Sequence, residues 1–381
     1  MAVGCVARVD GLRFNFRDRY LQQVRGVGVT IWRPYDESEG VVTGLAVGLP
    51  VTGAATLRGL ALAAGIEVDR DFTGIALAPI GFRAADRVRG IVLSGVGTYA
   101  GGNVDGLVLG GVGVGVEGRL RGIAIGGVGA GGGGSLRGAA LGLVGVGFTG
   151  DIQGVSIGGI GVASSADVTG LAVAGVAVAS GHDLSGLAIG GIGVGARHDL
   201  TGIAAGAVGV GSGDDLTGIA VAGLGVGAGR DLKGLAIGGV GVGAGRDLTG
   251  LAVGAVGVGV GRDLTGLVIG GAVGAGGHLR GVAVAVAVAA PQLTGFTVGL
   301  AAGTKHMRGI VIAPAYFRVE RGGTMKGASL SAFNHIRGRQ QGLTIGLLNI
   351  ADELHGVQIG LINIARNKQS FSVLPFVNFN R

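Results

Sequence analysis

Along most of this chain apolar residues alternate with small ones at period two, and the alternation slips by one residue inside every unit. Residues 247–262 read D-L-T-G-L-A-V-G-A-V-G-V-G-V-G-R. Leu251 and Val253 alternate with Ala252 and Gly254; after the slip, Val256, Val258 and Val260 alternate with Gly257, Gly259 and Gly261. Period two on both sides of a slip predicts two short strands joined by a bend. Leu235, Ile237, Val240 and Val242 repeat the pattern, as do Leu187, Ile189, Ile192 and Val194. Polar residues gather at one corner, as in G-R-D-L-T at 245–249. Helices are disfavoured, because glycine in a helix costs about 1 kcal/mol per position relative to alanine.

One glycine sets the period. It recurs every sixteen residues from Gly122 through Gly138, Gly154, Gly170, Gly186, Gly202, Gly218, Gly234 and Gly250 to Gly266. With looser spacing it extends back to Gly11 and on to Gly356, about 23 units in all. A fixed period of this size implies a repeat architecture in which no unit buries its apolar face alone. The expected fold is all-β: a parallel β-solenoid of about 23 coils with a sixteen-residue repeat. Leu and Ile or Val of the first strand are expected to point inward, as is Val240, and the Gly/Ala positions outward as a flat face. Coils stacked at about 4.8 Å would make a rod on the order of 110 Å. A transmembrane antiparallel β-barrel is the alternative. Strand length permits it, but a barrel wants a polar lumen face, and no alternating position here is polar.

Three segments are expected: 1–40, an N-terminal cap with irregular first repeats; 41–304, regular glycine-rich repeats of 14–16 residues; and 305–381, basic irregular repeats and a C-terminal cap. Aromatic residues mark the caps, with Phe14, Phe16, Tyr20, Trp32 and Tyr35 at one end and Phe371, Phe376 and Phe379 at the other. Such segments are expected to cover the open core and block edge pairing. Pro50, Pro79 and Pro314 fall at strand bends. Residues 281–304 are uncharged, which superficially suits a membrane helix, but Val282, Val284, Val286 and Val288 alternate and predict strand.

Composition narrows the class. Of 381 residues 88 are glycine, yet only six are proline and no three-residue period exists, which excludes collagen. Abundant Val, Ile and Leu argue against disorder, and the mean hydropathy of +0.60 is high for a water-soluble chain. The net charge of +7 resides in residues 305–381, at positions such as Lys305, Arg308, Arg318, Lys326, Arg337 and Arg366. Such an end suits anionic lipid or glycan. Nucleic acid is disfavoured, because aromatics make up 4% of the chain and do not interleave with the basic residues. Cys5 is the only cysteine, so no internal disulfide forms. Val3, Gly4 and Cys5 loosely match the end of a lipoprotein signal without the apolar stretch that precedes one; either the start is truncated or the match is chance.

The motifs that hint at chemistry have simpler readings. Ser156 sits in a G-x-S-x-G at 154–158, but on an expected outward strand position with no strand-to-helix turn. The G-x-G-x-x-G at 113–118 is followed by no helix. His182 and His198 precede corner Asp residues, and a two-His pair falls short of structural zinc. The ladder Asp183, Asp199, Asp215, Asp231, Asp247 and Asp263 lies beside Arg230, Arg246 and Arg262 and reads as exposed ion pairs rather than a calcium site. No catalytic, cofactor-binding or metal-binding residue is assigned, no cofactor is expected, and the chain is read as a non-enzyme.

The C-terminal units carry a resemblance. G-L-T-I-G-L-L-N-I-A at 342–351 is followed by G-V-Q-I-G-L-I-N-I-A at 356–365. This G-[LV]-x-I-G-L-[IL]-N-I-A pattern resembles the bacterial surface-repeat-containing protein family, some members of which are lipoproteins. Middle units match more loosely, with Gly in place of Asn349 and Asn363. The resemblance implies export to the cell envelope and no catalytic activity. The expected function is a structural or adhesive envelope protein whose flat Gly/Ala face associates with itself or with surface lipid or glycan; an outer-membrane pore or anchor is the alternative.

Overall fold

The computed structural model describes residues 2–3, 7–17, 21–32 and 39–380. Cys5, Tyr20 and Tyr35 lie outside the described residues. The chain divides into two compact units, Met1–Ala196 and Arg197–Arg381. Both are built of stacked coils of an all-β parallel solenoid with a sixteen-residue repeat and about 21 turns, close to the number the glycine spacing predicts. The antiparallel barrel does not form. In the first unit Leu120–Gly126 pairs in parallel with Leu136–Gly142, setting Gly122 against Gly138. In the second, Leu232–Gly238 pairs in parallel with Leu248–Val260, setting Gly234 against Gly250.

One coil of the second unit shows how the repeat works. Leu232–Gly238 and Gly241–Ala244 are its strands. The path turns at the Gly239 and Val240 bend, turns again at Gly245 and Arg246, and kinks within the first strand at Gly234. The ladder glycines have φ between +115° and +158°, a region closed to most L side chains. Space adds a second constraint. A Cβ on Gly250 would lie 2.1 Å from the Gly234 carbonyl oxygen in the coil below. The sixteen-residue signal is therefore a column of backbone-on-backbone contacts that no side chain can enter.

The interior reverses half of the expected pattern. Leu248, Ala252 and Val258 are 0–2% exposed, and Gly254 also faces in. Leu251 and Val253, expected inside, lie on the outer surface at intermediate exposure, while Val256 is 66% exposed. Val240, likewise expected inside, is 46% exposed. The reason is the girth of the coil. The second strand folds back so closely that a Cβ on inward Gly254 would sit 2.4 Å from the Gly257 carbonyl oxygen. With Leu248 and Val258 filling the lumen from the other walls, the inner side of the first strand's latter half takes mostly Ala and Gly, with Val the largest aliphatic residue there, as at Val268 and Val108. The large aliphatic residues are displaced outward. The flat Gly/Ala face survives only on the second strand, where Gly257 and Gly259 alternate with inward Val258 and Val260.

The ends also differ from expectation. Phe14, Phe16 and Trp32 are 40–66% exposed, whereas Arg13 and Leu21 are 2% exposed. Arg13 pairs in register with Gly28. At the other end Val373–Asn380 pairs antiparallel with residues 356–364. It occupies the sheet edge through its backbone and turns Asn378 inward, while Phe371, Phe376 and Phe379 are 66–77% exposed. Blocking of the edge is thus achieved by strand pairing rather than by aromatic packing. Pro50, Pro79 and Pro314 occupy bends, and residues 278–298 form one strand, as the alternation predicts.

Two substitution sets test this geometry. Gly250→Ala is expected to lower the melting temperature markedly, since backbone strain alone is worth about 1–3 kcal/mol. Gly259→Ala, where nothing lies within 4 Å of an added Cβ, is expected to leave it unchanged. Val240→Asp is expected to be tolerated within about 0.5 kcal/mol, as at other surface positions, whereas Ala236→Asp, at 0% exposure, buries an unpaired carboxylate and unfolds the neighbouring coils. Thermal denaturation followed by circular dichroism reads both sets.

Candidate functional surfaces

The residues singled out for chemistry do not assemble into a reaction centre. Ser156 faces inward, contrary to expectation, at 0% exposure. It lies in register between Ala140 and Ala172, and its Oγ has no hydrogen-bond partner. The position holds Ala in the neighbouring coils, and a buried hydroxyl between two methyl groups has no base to activate it. The glycines at 113–118 lie in the strand Gly113–Val116 and the bend after it, followed by another strand. His182 belongs to the first unit, with Nδ1 3.9 Å from Asp167. His198 belongs to the second, with Nδ1 3.0 Å from Asp214 Oδ2. That hydrogen bond is the main cause holding the Asp214 carboxyl below its ordinary range; burial opposes it, and Arg230 and Arg246 reinforce it. Among the described residues no group of three or more His, Cys, Asp or Glu is arranged to hold a metal.

The corner aspartates have a structural task. Asp215 N–H donates to Asp199 Oδ1 at 3.0 Å, Asp231 N–H to Asp215 Oδ1 at 3.2 Å, and Asp263 N–H to Asp247 Oδ1 at 3.2 Å. Each carboxylate thus caps a corner amide of the next coil, which the bend would otherwise leave without a strand partner. Asn103 does the same for Arg119 N–H in the first unit at 2.8 Å. Arginines lie over the acidic column in the second unit. Arg230 Nε is 3.2 Å from Asp214 and 3.3 Å from Asp215, and Arg246 Nε is 3.3 Å from Asp231. These half-exposed pairs add little stability each and hold the corner polar.

A buried amide column occupies the C-terminal coils. Asn334 Nδ2 donates to Asn349 Oδ1, and Asn349 Nδ2 to Asn363 Oδ1, both at 2.7 Å. Asn363 Nδ2 completes the relay on the Gly360 and Leu374 carbonyls. All three residues are 0% exposed. Gln358 Nε2 donates to Gln340 Oε1 at 3.0 Å in a second buried pair. This explains the Asn in the recurring N-I-A of the last coils: Asn349 accepts from Asn334 on one side and donates to Asn363 on the other, a directional relay like the Asn ladders of stacked β-structures. Nearby, burial first and then Arg337, Arg318 and Arg366 hold His335 below the usual histidine range. Its ring stacks on Phe333 at 5.5 Å. A histidine depressed in this way binds fewer protons folded than unfolded, so its contribution to stability declines as pH falls below about 6.5.

The outer surface is amphipathic around the coil. Beyond the polar corner, one wall carries in-register aliphatic columns, including Ile203 and Ile219 at 46% and 39% exposure. The bend beside it carries Val208, Leu224, Val240 and Val256 at 44–66%. The Gly/Ala wall follows. Aliphatic surface on this scale is uncommon on monomeric proteins. The sequence pattern contains it, but the inward assignment of the large residues concealed it. The fold defines a structural repeat protein of the β-solenoid class. Comparison with protein-family models, curated proteins and solved structures finds no match.

The amide column yields a stability prediction. Asn349→Ala removes one hydrogen bond from Asn334 and the donor to Asn363, and is expected to cost about 1–3 kcal/mol. A melting temperature equal to that of the parent chain would show that the relay contributes nothing.

Proposed function

We propose that this chain is a non-enzymatic structural protein of the bacterial cell envelope that associates with a second copy of itself through its aliphatic wall. The observation that carries the reading is the set of exposed, in-register Leu, Ile and Val columns beside the polar corner. Apolar area removed from water contributes roughly 25 cal/mol per Å², and a stable interface takes about 800 Å² per partner. Side chains this large, repeated in each coil, reach that area within a few coils. The columns rise at the coil spacing of about 4.8 Å, and a second copy carries the same relief at the same period. Ridges of one wall therefore fit between ridges of the other, a self-complementarity that a fluid lipid surface lacks. The Gly/Ala wall supports the same reading less strongly, since its flat backbone permits close approach but buries little apolar area. The envelope location draws its support from the likeness of residues 342–365 to bacterial surface repeats.

Analytical ultracentrifugation across a concentration series tests the proposal. The parent chain is expected to sediment as a dimer or larger species, and a Val208→Lys, Leu224→Lys, Val240→Lys, Val256→Lys variant as a monomer. A parent chain that stays monomeric would overturn self-association. If that monomer also floats with phosphatidylcholine vesicles, the wall's occupant is lipid instead.

A further inference from the structure

The last coils of the second unit hold a cationic groove that neither self-association nor the corner ion pairs use. Two columns run along this wall. One carries Asp215, Asp231, Asp247 and Asp263 in the regular coils and then changes to His278, Gln292, His306 and Thr324. The other changes from Thr249 and Thr265 to Arg280, Thr294, Arg308 and Lys326. The acidic column therefore stops where cations become frequent in its neighbour, whose regular coils carry Lys233 among Thr201, Thr217, Thr249 and Thr265. Coil length changes at the same place. Gly281, Gly295 and Gly309 are fourteen residues apart, two fewer than the regular repeat. The shortening removes the corner: His278–Val298 runs on as one strand, where regular coils bend before the aspartate. The wall recedes, and a groove of about 460 Å³ opens over buried Leu293 and Met307.

The chemistry of the lining is one-sided. Arg280, Arg308 and Lys326 contribute three positive charges, and no Asp or Glu lines the groove. Among the described residues none of the three cations has a carboxylate partner, in contrast to Arg230 and Arg246 on the regular coils. Thr294, Thr324 and Gln292 add neutral donors, and the His306 ring Nδ1 lies 3.0 Å from Thr324 Oγ1, linking two successive residues of the first column. At one coil per about 4.8 Å, Arg308 and Lys326 are one step apart and Arg280 lies two steps from Arg308. The cations are thus set out along the coil axis rather than around a point. We propose that this groove binds a ligand carrying two or more phosphate or sulfate groups, aligned with the coil axis. Arginine forks grip such oxyanions through paired hydrogen bonds, and lysine supplies a point charge. No Phe, Tyr or Trp lines the groove, which leaves only the His278 and His306 rings as surfaces for a base.

Isothermal titration calorimetry on the full chain tests the site with inorganic phosphate and with tripolyphosphate. Tripolyphosphate is expected to bind about tenfold or more tighter than phosphate, and Arg308→Ala with Lys326→Ala to weaken it by about tenfold or more. Arg308→Lys, which keeps the charge and loses the fork, is expected to fall between. Arg121→Ala, an exposed cation of the first unit, is expected to change nothing. Equal affinity for the two anions, an equal loss in the Arg121 variant, or undiminished binding in the double variant would overturn the proposal. Vesicles containing phosphatidylglycerol locate the ligand: capture that the double variant loses supports the site and places its phosphates on a membrane, whereas tripolyphosphate binding without capture supports it with a soluble ligand.

Discussion

Everything in this structure depends on how closely one coil's backbone lies on the next at the ladder glycine. The carbonyl oxygen of Gly234 stands 2.1 Å from where a Cβ of Gly250 would be, and the same approach recurs between Gly106 and Gly122, and between Gly309 and Gly327. With φ in the positive region at each of these positions, the residue is excluded from being anything else on two independent grounds. The kink turns the first strand within the coil and gives it a small girth. Stacking in register then satisfies the backbone amides of each coil on its neighbours, so stability is shared along each unit rather than held by any single coil.

Small girth has a consequence for side chains that ordinary sheet logic does not anticipate. A typical half-buried strand puts its large residues inside. Here the lumen is filled by one Leu column, such as Leu216, Leu232 and Leu248, and one Val column, such as Val226, Val242 and Val258. The remaining inner positions take Ala220, Ala236 and Ala252, all at 0% exposure. Leu and Ile that alternate with these alanines have nowhere to go but out. The protein's high mean hydropathy is therefore not evidence of a large core; much of it lies on the surface.

The fold was legible in the sequence because period and phase slip are backbone properties: the sixteen-residue glycine, the two short strands and the bend follow from spacing alone. The inside–outside assignment was not, since it depends on the distance across the coil. Alternation at Leu251, Ala252, Val253 and Gly254 is symmetric, and only the proximity of Gly254 to the Gly257 carbonyl breaks the symmetry. The corner aspartates were visible as a ladder with arginines, but their hydrogen bonds to amides one coil away are long-range facts that spacing does not declare. At the chain ends, clustered aromatics suggested packing, whereas Asn378 turns inward and the phenylalanines beside it turn out. The groove had a signal in plain view, the joint loss of the aspartate and of one or two residues in each of the three coils after Gly266, but its meaning required knowing which columns share a wall.

A solenoid of this kind is best read by column rather than by coil. Each column is a one-dimensional sequence whose members are neighbours in space, and changes along it mark where the uniform scaffold gives way to something specific. The inward column that is Val258, Val273 and Val288 becomes Phe317, Asn334, Asn349 and Asn363. The cost of burying those amides is offset only because each finds its partner one step away, so a single isolated Asn there would be destabilising while a run of three is not. The corner column from Asp263 to His278 and His306 loses its carboxylates within the same unit. Neither change alters the backbone pairing, which the glycine ladder enforces independently. That separation of scaffold from content lets one backbone carry an exposed aliphatic wall over its regular coils and a cationic groove over its shortened ones.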